Sequence, residues 1–322
     1  MTKLDEIVSQ IQKKHVYIQT HNFPDPDAIA SAYGLQELLR VRGIESTICY
    51  SGRIDRYSTI KLAEIFSIDL CHIESLQEKL SEQDEVILVD SQKGNSNIID
   101  MTGDEIICID HHPENEKYSY RFKDIRPQTG ACATIIASYF FENNIPVNKN
   151  IATVLTYGIR IDTNNLSRGV SKQDMEVICR LYEDCDYSTL YMLENCTLCY
   201  EDLVAYAKAI ESIRIFDEVG FADAGGDCPV TADISDFLLA LKEVTFSVVY
   251  SRREDGFRFS VRSEKKELDA GKIINEALKG IGFGGGHAHM AGGIVPFDGD
   301  ETNEAALCEQ IQERFRKVIG KI

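Results

Sequence analysis

Three apolar runs of this 322-residue chain each end in residues that bind cations. His15 to Thr20 leads into His21-Asn22-Phe23-Pro24-Asp25-Pro26-Asp27, Glu85 to Val89 ends at Asp90, and Glu105 to Ile109 ends at Asp110-His111-His112. In open α/β sheets ligands bind beyond the carboxyl ends of the strands, so the three ends are predicted to converge on one crevice. Their bare carboxylates would repel each other there unless cations or protons intervened. Oxygen and imidazole donors without thiolate suit manganese, magnesium or another hard-to-borderline divalent ion. Two such ions about 3.5–4 Å apart can share a carboxylate, activate a water and clamp a phosphoryl group for in-line attack. Asp90 is the candidate for the shared ligand.

Each residue also has a plainer reading. Asp27 sits where a helix N-cap is expected, just before Ala28-Ile29. His21 reads as an ordinary residue after a strand, and Asp90 as the turn residue that ends one. Asp162, in Gly158-Ile159-Arg160-Ile161-Asp162-Thr163, reads from spacing alone as a helix-terminating turn residue. The metal reading gains its weight from three separate strand ends carrying ligand-type side chains. Pro24 and Pro26 stiffen the first of them and fix where its carboxylates point.

The elements that must position these residues follow from periodicity. Asp27 to Arg42 reads as a helix, with Ile29, Ala32, Leu35, Leu38 and Leu39 on one face and Gly43 able to end it. Ile44 to Tyr50 reads as a strand and Ser58 to Phe66 as a helix. The runs at 85–89 and 105–109 look buried on both faces. Gly130 to Glu142 and Asn148 to Arg160 read as helices. The alternation predicts an α/β fold with a mostly parallel sheet and helices on both faces. Helical patterns dominate 171–212. Beyond that come a helix over Thr231 to Leu241, strands at Thr245 to Tyr250 and Phe257 to Val261 joined through Arg252 to Gly256, and a helix over Ala270 to Lys279. A glycine-rich loop, a strand at Gly293 to Phe297 and a last helix close the chain. The boundary is placed near residues 186–200: a catalytic domain over 1–190, a linker over 191–205, and a smaller α/β domain over 206–322.

Composition narrows the partners. A net charge of −18 argues against a long electrostatic track for nucleic acid but not against a small phosphate ligand. Carboxylates that gather divalent cations create their own positive field. No apolar run approaches the roughly 18 residues that span a membrane, and the start Met1-Thr2-Lys3-Leu4-Asp5-Glu6 lacks the apolar stretch of a signal peptide, so a cytoplasmic place is expected. Of ten cysteines, Cys196 and Cys199 alone have CxxC spacing, and no second pair completes a zinc site. Reduced thiols, many of them buried, are the expectation.

At this point the motifs resemble those of the DHH/DHHA1 phosphoesterases, and within them the nano-RNase and oligoribonuclease branch. His21 to Ser31 is similar to the HxxPDxDAxxS signature. Asp90 matches the lone second-motif aspartate, and Asp110-His111-His112 is the name-giving motif. Gly130-Ala131-Cys132-Ala133-Thr134 resembles the small-residue turn before the next helix, and Asp162-Thr163 the fourth metal motif. Val261-Arg262-Ser263 and Gly284-Gly285-Gly286-His287 look like the DHHA1 substrate signatures. The resemblance implies one metal on His21, Asp25 and Asp90, and another on Asp27, Asp90, His111 and Asp162. It implies His112 at the scissile phosphate as donor or acid, Arg262 and Ser263 at a substrate phosphate, and His287 on a loop whose glycines let N–H groups approach an anion. There are departures: Ala30 stands where glycine is usual, Arg160 where threonine is common, and His289 is an extra histidine.

The function expected is hydrolysis of short linear dinucleotides or oligoribonucleotides to mononucleotides, with two divalent ions, manganese first and magnesium or cobalt as alternatives. Action on 3′-phosphoadenosine 5′-phosphate, on cyclic dinucleotides, or on pyrophosphate or polyphosphate are the enzymatic alternatives, and a nucleotide-binding sensor the non-enzymatic one. The partners expected are a short nucleotide and a second copy of the chain as a homodimer, with no long nucleic acid and no membrane.

Overall fold

The computed structural model describes residues 1–54, 56–76, 80–195, 198–254, 256–297 and 301–320, with the backbone alone at 301–305. Contacts divide it into two units, Met1–Thr197 and Leu198–Ile322. Cys196 of the CxxC pair and Asp255 of the expected hairpin connection lie outside the described residues.

The first unit runs α1 (Lys3–Gln10), β1 (His15–Gln19), α2 (Pro26–Val41), β2 (Glu45–Tyr50), α3 (Tyr57–Phe66), β3 (Leu70–His72), β4 (Glu85–Val89), β5 (Asp104–Asp110), β6 (Phe122–Ile125), α4 (Cys132–Glu142), α5 (Lys149–Asp162), α6 (Lys172–Tyr182) and α7 (Tyr187–Asn195). Its sheet has the order β3-β2-β1-β4-β5-β6, and each neighbouring pair is parallel. All carboxyl ends therefore share one edge. The order reverses between β1 and β4, which opens a crevice where His21 and Asp90 emerge. Every residue of β4 is buried, as expected for a central strand. Ile87 and Val89 join the larger apolar cluster with Ile29, Leu35, Ile136 and Leu155 from α2, α4 and α5. Val86 and Leu88 face a smaller one. The expectation of α-helices on both faces is met on one. Among the described residues the smaller cluster is covered by Ile73, Leu76 and Met101, none of them in an α-helix. The crossover from β4 to β5, residues 90–103, carries no α-helix.

The helix α2 is closely packed on two sides. Its N-cap is Asp25, whose Oδ1 accepts from the Ala28 N–H at 3.0 Å, with Pro26 as first helical residue. Asp27 is thus one residue inside the helix, not the cap that spacing alone assigned to it. A Cβ on Gly34 would come within 2.8 Å of Ile136, and one on Gly158 within 2.8 Å of the Ala30 Cβ, so α2 lies against α4 and α5 with no slack.

The second unit runs α8 (Asp202–Ser212), β7 (Arg214–Phe216), β8 (Val219–Gly226), α9 (Thr231–Leu239), β9 (Phe246–Arg253), β10 (Gly256–Ser263), α10 (Ala270–Leu278), β11 (Phe283–Gly286), β12 (Met290–Pro296) and α11 (Glu301–Ile319). The stretch expected as a linker over 191–205 is largely helical, since α7 ends at Asn195 and α8 begins at Asp202. The sheet order is β11-β12-β10-β9-β8-β7, with β8 and β9 parallel and the other pairs antiparallel. Alternation decides its faces. Phe257, Phe259 and Val261 of β10 meet Ile273, Ile274 and Phe315 of α10 and α11. The opposite face is lined by small polar groups, where Ser247 donates to the Ser235 carbonyl at 2.9 Å and Ser235 to the Ser260 carbonyl at 3.2 Å.

One expectation is overturned in this unit. Gly284, Gly285 and Gly286 are not a loop but part of β11, an edge strand paired with β12. A Cβ on Gly284 would press into Ile274 at 2.8 Å, and one on Gly271 would meet the Gly286 carbonyl at 2.3 Å. The glycines let α10 lie directly on the strand. Packing thus accounts for Gly284 and Gly286, while a Cβ on Gly285 would meet open space.

Candidate metal centre

The carboxyl ends of β1, β4 and β5 and the last residue of α5 bring the six predicted ligands together. Atoms of His21, Asp25 and Asp90 lie within 4.8 Å of one another, as do atoms of Asp27, His111 and Asp162. Asp90 stands between the two groups. Its Oδ2 is 3.6 Å from His21 Nε2, and its Oδ1 is 3.4 Å from His111 Nε2. His111 Nε2 is also 3.3 Å from Asp162 Oδ2. The two histidines are held in the same way. His21 Nδ1 is 2.8 Å from the Asn22 carbonyl and His111 Nδ1 is 3.2 Å from the Thr129 carbonyl. A carbonyl only accepts, so Nδ1 carries the proton in both rings and Nε2 is turned toward the carboxylates. Metal-ligating histidines are oriented in this manner.

The donor set fits cations on a second count. Asp90 is 2% exposed, and its Oδ1 has no hydrogen-bond partner. An orphaned buried carboxylate oxygen is costly unless something positive satisfies it. Asp90 also holds φ at +58°, a left-handed conformation uncommon outside glycine and asparagine. Strain and an unmet oxygen at one residue mark a site built for binding rather than for stability.

Without metal the cluster is held by protons. Burial alone would favour neutral His21, but Asp25 and Asp90 outweigh it and hold its pKa up at about 10. His111 is likewise raised, the carboxylates of Asp90, Asp162 and Asp27 overcoming its burial. Burial, then Asp90 and Asp162, push Asp27 well above the carboxylate range, and burial with Asp25 and Asp90 lifts Asp162 to about 6 against the pull of His111. A divalent cation therefore competes with protons for these atoms.

Asp27 has a second partner that its sequence position does not reveal. Its Oδ2 accepts from the Cys132 N–H at 2.8 Å and its Oδ1 from the Ala133 N–H at 2.9 Å. The residue before α4, Ala131, supplies no side-chain cap. Asp27 thus caps α4 from another helix, where the helix dipole also favours a negative charge. This explains the small residues of the Gly130 to Thr134 turn, since the carboxylate must reach the backbone. Asp174 ties down the same turn, accepting from the Gly130 N–H at 2.9 Å and from Thr134 Oγ1 at 2.5 Å.

The substrate residues expected in the second unit are placed as follows. Arg262 is 8% exposed; its Nε donates to Asp236 Oδ1 at 2.9 Å and its Nη1 to Ser260 Oγ at 3.0 Å and the Val261 carbonyl at 3.1 Å. Its guanidinium is anchored on the α9 face. Ser263 is buried, and its hydroxyl donates to the Lys265 carbonyl at 3.1 Å. The His287 and Ala288 carbonyls accept from the Gly271 and Ala270 N–H groups, which ties this segment to the start of α10. His289 Nδ1 lies 3.4 Å from the Ser263 carbonyl. Arg160, in the first unit, pairs with Glu194 of α7 at 2.8 Å and donates to Asn165 Oδ1 at 3.1 Å, which gives it a structural partner.

The order of these features along the chain is matched by family models. Residues 15–159 match the DHH family N-terminal domain and residues 216–317 the DHHA1 domain. Together the two models span most of the chain, which belongs to the DHH/DHHA1 family. A similar relative is an uncharacterized protein of Methanocaldococcus jannaschii, 30% identical over 98% of this chain and 66% of its own length. This chain thus spans just under two thirds of that protein. A probable bifunctional oligoribonuclease and PAP phosphatase of Streptococcus mutans is 24% identical over 99% of this chain and all of its own. Among solved structures, an exopolyphosphatase-related protein of Bacteroides fragilis has the same fold, with a TM-score of 0.77, 17% identity and 99% coverage of both chains.

In this DHH/DHHA1 chain the name-giving motif divides its labour. Asp110 lies within metal-binding reach of Asp90 and His111, yet its oxygens are engaged. Oδ1 accepts from the His111 N–H at 2.8 Å and from His112 Nδ1 at 2.9 Å, and Oδ2 accepts from Gln92 Nε2 at 2.6 Å. Through the bond to Nδ1, Asp110 orients His112. Gln92, fully buried and not anticipated from the sequence, also donates to the Pro113 carbonyl at 3.1 Å and accepts from the Asn115 N–H at 2.7 Å. It pins the loop that carries His112. No local signal marks it, since it follows Asp90 and Ser91 in a polar stretch beyond the strand end. Gln92→Leu is expected to lower kcat about 10–100-fold, as loss of an outer partner does, while the thermal shift on adding manganese persists. Steady-state kinetics and a melting series check both.

Proposed function

We propose that this protein hydrolyses short linear nucleotides to mononucleotides using a pair of divalent cations, manganese foremost. One observation carries the reading: each oxygen of Asp90 faces the Nε2 of a different histidine, and each of those rings is pinned by a backbone carbonyl. That is the geometry of a carboxylate shared between two centres. His21, Asp25 and Asp90 would hold one cation, and Asp27, Asp90, His111 and Asp162 the other. Bound there, the pair would acidify a water and draw charge from the phosphoryl group.

The chain's own groups supply the rest. Asp110 fixes the tautomer of His112 by accepting from Nδ1, so Nε2 is the atom that exchanges a proton with a phosphoryl oxygen or the leaving oxygen. His112 is more exposed than His21 or His111, as a substrate contact should be. Arg262 would meet a substrate phosphate with a guanidinium whose position Asp236 has already set. The net charge of −18 favours a short substrate over a long strand. Similarity to the S. mutans protein, a probable bifunctional oligoribonuclease and PAP phosphatase, supports 3′-phosphoadenosine 5′-phosphate as a second substrate.

The test is a panel of linear dinucleotides, cyclic dinucleotides, phosphoadenosine phosphate and polyphosphate, each with manganese, magnesium and cobalt. The expected result is mononucleotide from the linear dinucleotides with manganese. Tight binding without product would identify a sensor and overturn the proposal.

A further inference from the structure

The loop that carries His21 and Asp25 also carries an exposed aromatic ring in a strained conformation. Phe23 has φ of +56° and is 46% exposed. A bulky residue with positive φ is an outlier that surrounding structure must enforce. Here it is enforced from both sides. The Phe23 N–H donates to the Ser51 carbonyl at 2.9 Å, the Asn22 N–H donates to the Asn97 carbonyl at 2.7 Å, and Asn22 Oδ1 accepts from the Ile99 N–H at 3.1 Å. The ring lies on Gly52, where a Cβ would come within 2.9 Å of it, so glycine is needed beneath. The Gly52 carbonyl is itself held by His72 Nε2 at 3.1 Å. Gly52 follows β2, the neighbour of β1, so this platform stands at the same sheet edge as the metal ligands. Arg56, on the same loop, is close enough for its charge to act on the Asp25 carboxylate.

An exposed hydrophobic ring held against its backbone preference contributes nothing to the core. We propose that Phe23 is a nucleobase platform: a base attached to the phosphate at the metal centre stacks on its ring. The inference rests on the nucleotide reading above and adds to it a source of selectivity for nucleotides over base-free phosphates. Stacking on an aromatic side chain is tolerant of base identity, since every base has a π-face.

The experiment compares adenosine 5′-phosphate with ribose 5-phosphate, which differ only by the base, by calorimetry with manganese. The wild-type protein and the variants Phe23→Asn and Phe23→Trp are used. Asparagine suits the left-handed conformation, so this variant is expected to melt no lower than wild type. The wild type is expected to bind adenosine 5′-phosphate about tenfold more tightly than ribose 5-phosphate. Phe23→Asn should erase that preference and Phe23→Trp restore it. With the dinucleotide pApA, Phe23→Asn should raise KM about tenfold with a much smaller change in kcat. Equal loss of both ligands, a preference indifferent to residue 23, or no preference in the wild type overturns the platform. A preference that depends on Phe23 in a protein that cleaves no dinucleotide keeps the platform and overturns the hydrolase reading alone.

Discussion

Asp90→Asn is expected to abolish turnover while leaving the protein folded. The substitution keeps the shape of the side chain and tolerates φ of +58°, but it replaces one of two oxygens that face the paired histidines. Loss of an outer partner in a metal site costs about 10–100-fold, and a shared ligand should cost more, on the order of a thousandfold or beyond. Stability should hardly move in the absence of metal. His21 and His111 attract the Asp90 carboxylate while Asp27 and Asp162 repel it, so removing its charge both loses and gains stability. A change under about 1 kcal/mol, roughly 2–4 °C in Tm, is expected. The decisive readout is the response to manganese. A ligand at a hundred times its Kd stabilises the folded state by about 2.7 kcal/mol, and most of that gain should vanish in the variant. Retained activity, or an undiminished thermal shift, would remove Asp90 from the centre.

Asp27→Asn, a change of the same few atoms, should behave differently. It too should lose activity, but it should also lower Tm in the absence of metal. Both Asp27 oxygens accept from the start of α4, at 2.8 and 2.9 Å, and an amide offers one oxygen and one NH2. One buried helix N–H is left facing a donor, and the helix end loses its counter-charge. A buried donor without a partner costs about 1–3 kcal/mol, and bonds to charged groups are worth more than neutral ones. Relief of repulsion from Asp90 and Asp162 opposes this, but it leaves the buried donor at the start of α4 still without an acceptor. The lost acceptor wins. A fall of about 2–4 kcal/mol, roughly 5–15 °C, is expected from thermal or urea melts. A Tm equal to that of the wild type would show that α4 is not anchored through Asp27.

These two aspartates also measure how far the sequence could be read. That strand ends at His21, Asp90 and Asp110 would converge was legible, because a parallel sheet places all its carboxyl ends on one edge and short, continuously apolar runs marked the central strands. Asp162 was legible only through resemblance: it ends a helix, and nothing in local periodicity says where a helix end points. The second role of Asp27 was hidden for the opposite reason, since its partners are backbone groups 105 and 106 residues away. The strands not anticipated share a cause. β3 and β7 have three residues each and β6 only four, β8 is rich in alanine and glycine, and β11 is largely glycine, so none shows a sustained β-branched alternation that betrays a strand. Arg262 was expected as a phosphate contact, and its anchoring by Asp236 could not be seen without knowing that α9 crosses β10.

The contact between Ala30 and Gly158 gives the site a different kind of constraint. Ala30 stands where the resemblance leads one to expect glycine, and a Cβ on Gly158 would strike the Ala30 methyl at 2.8 Å while lying 3.3 Å from the Asp27 Cα. The methyl that α2 carries is accommodated by the one that α5 lacks. The two positions act as a single volume shared between helices, so through descent they should drift as a pair, one free to enlarge only where the other stays small. What keeps Asp27 and Asp162 at working distance is thus a fixed amount of matter between two backbones rather than any bond, a rule that could hold across sequences which share few other residues.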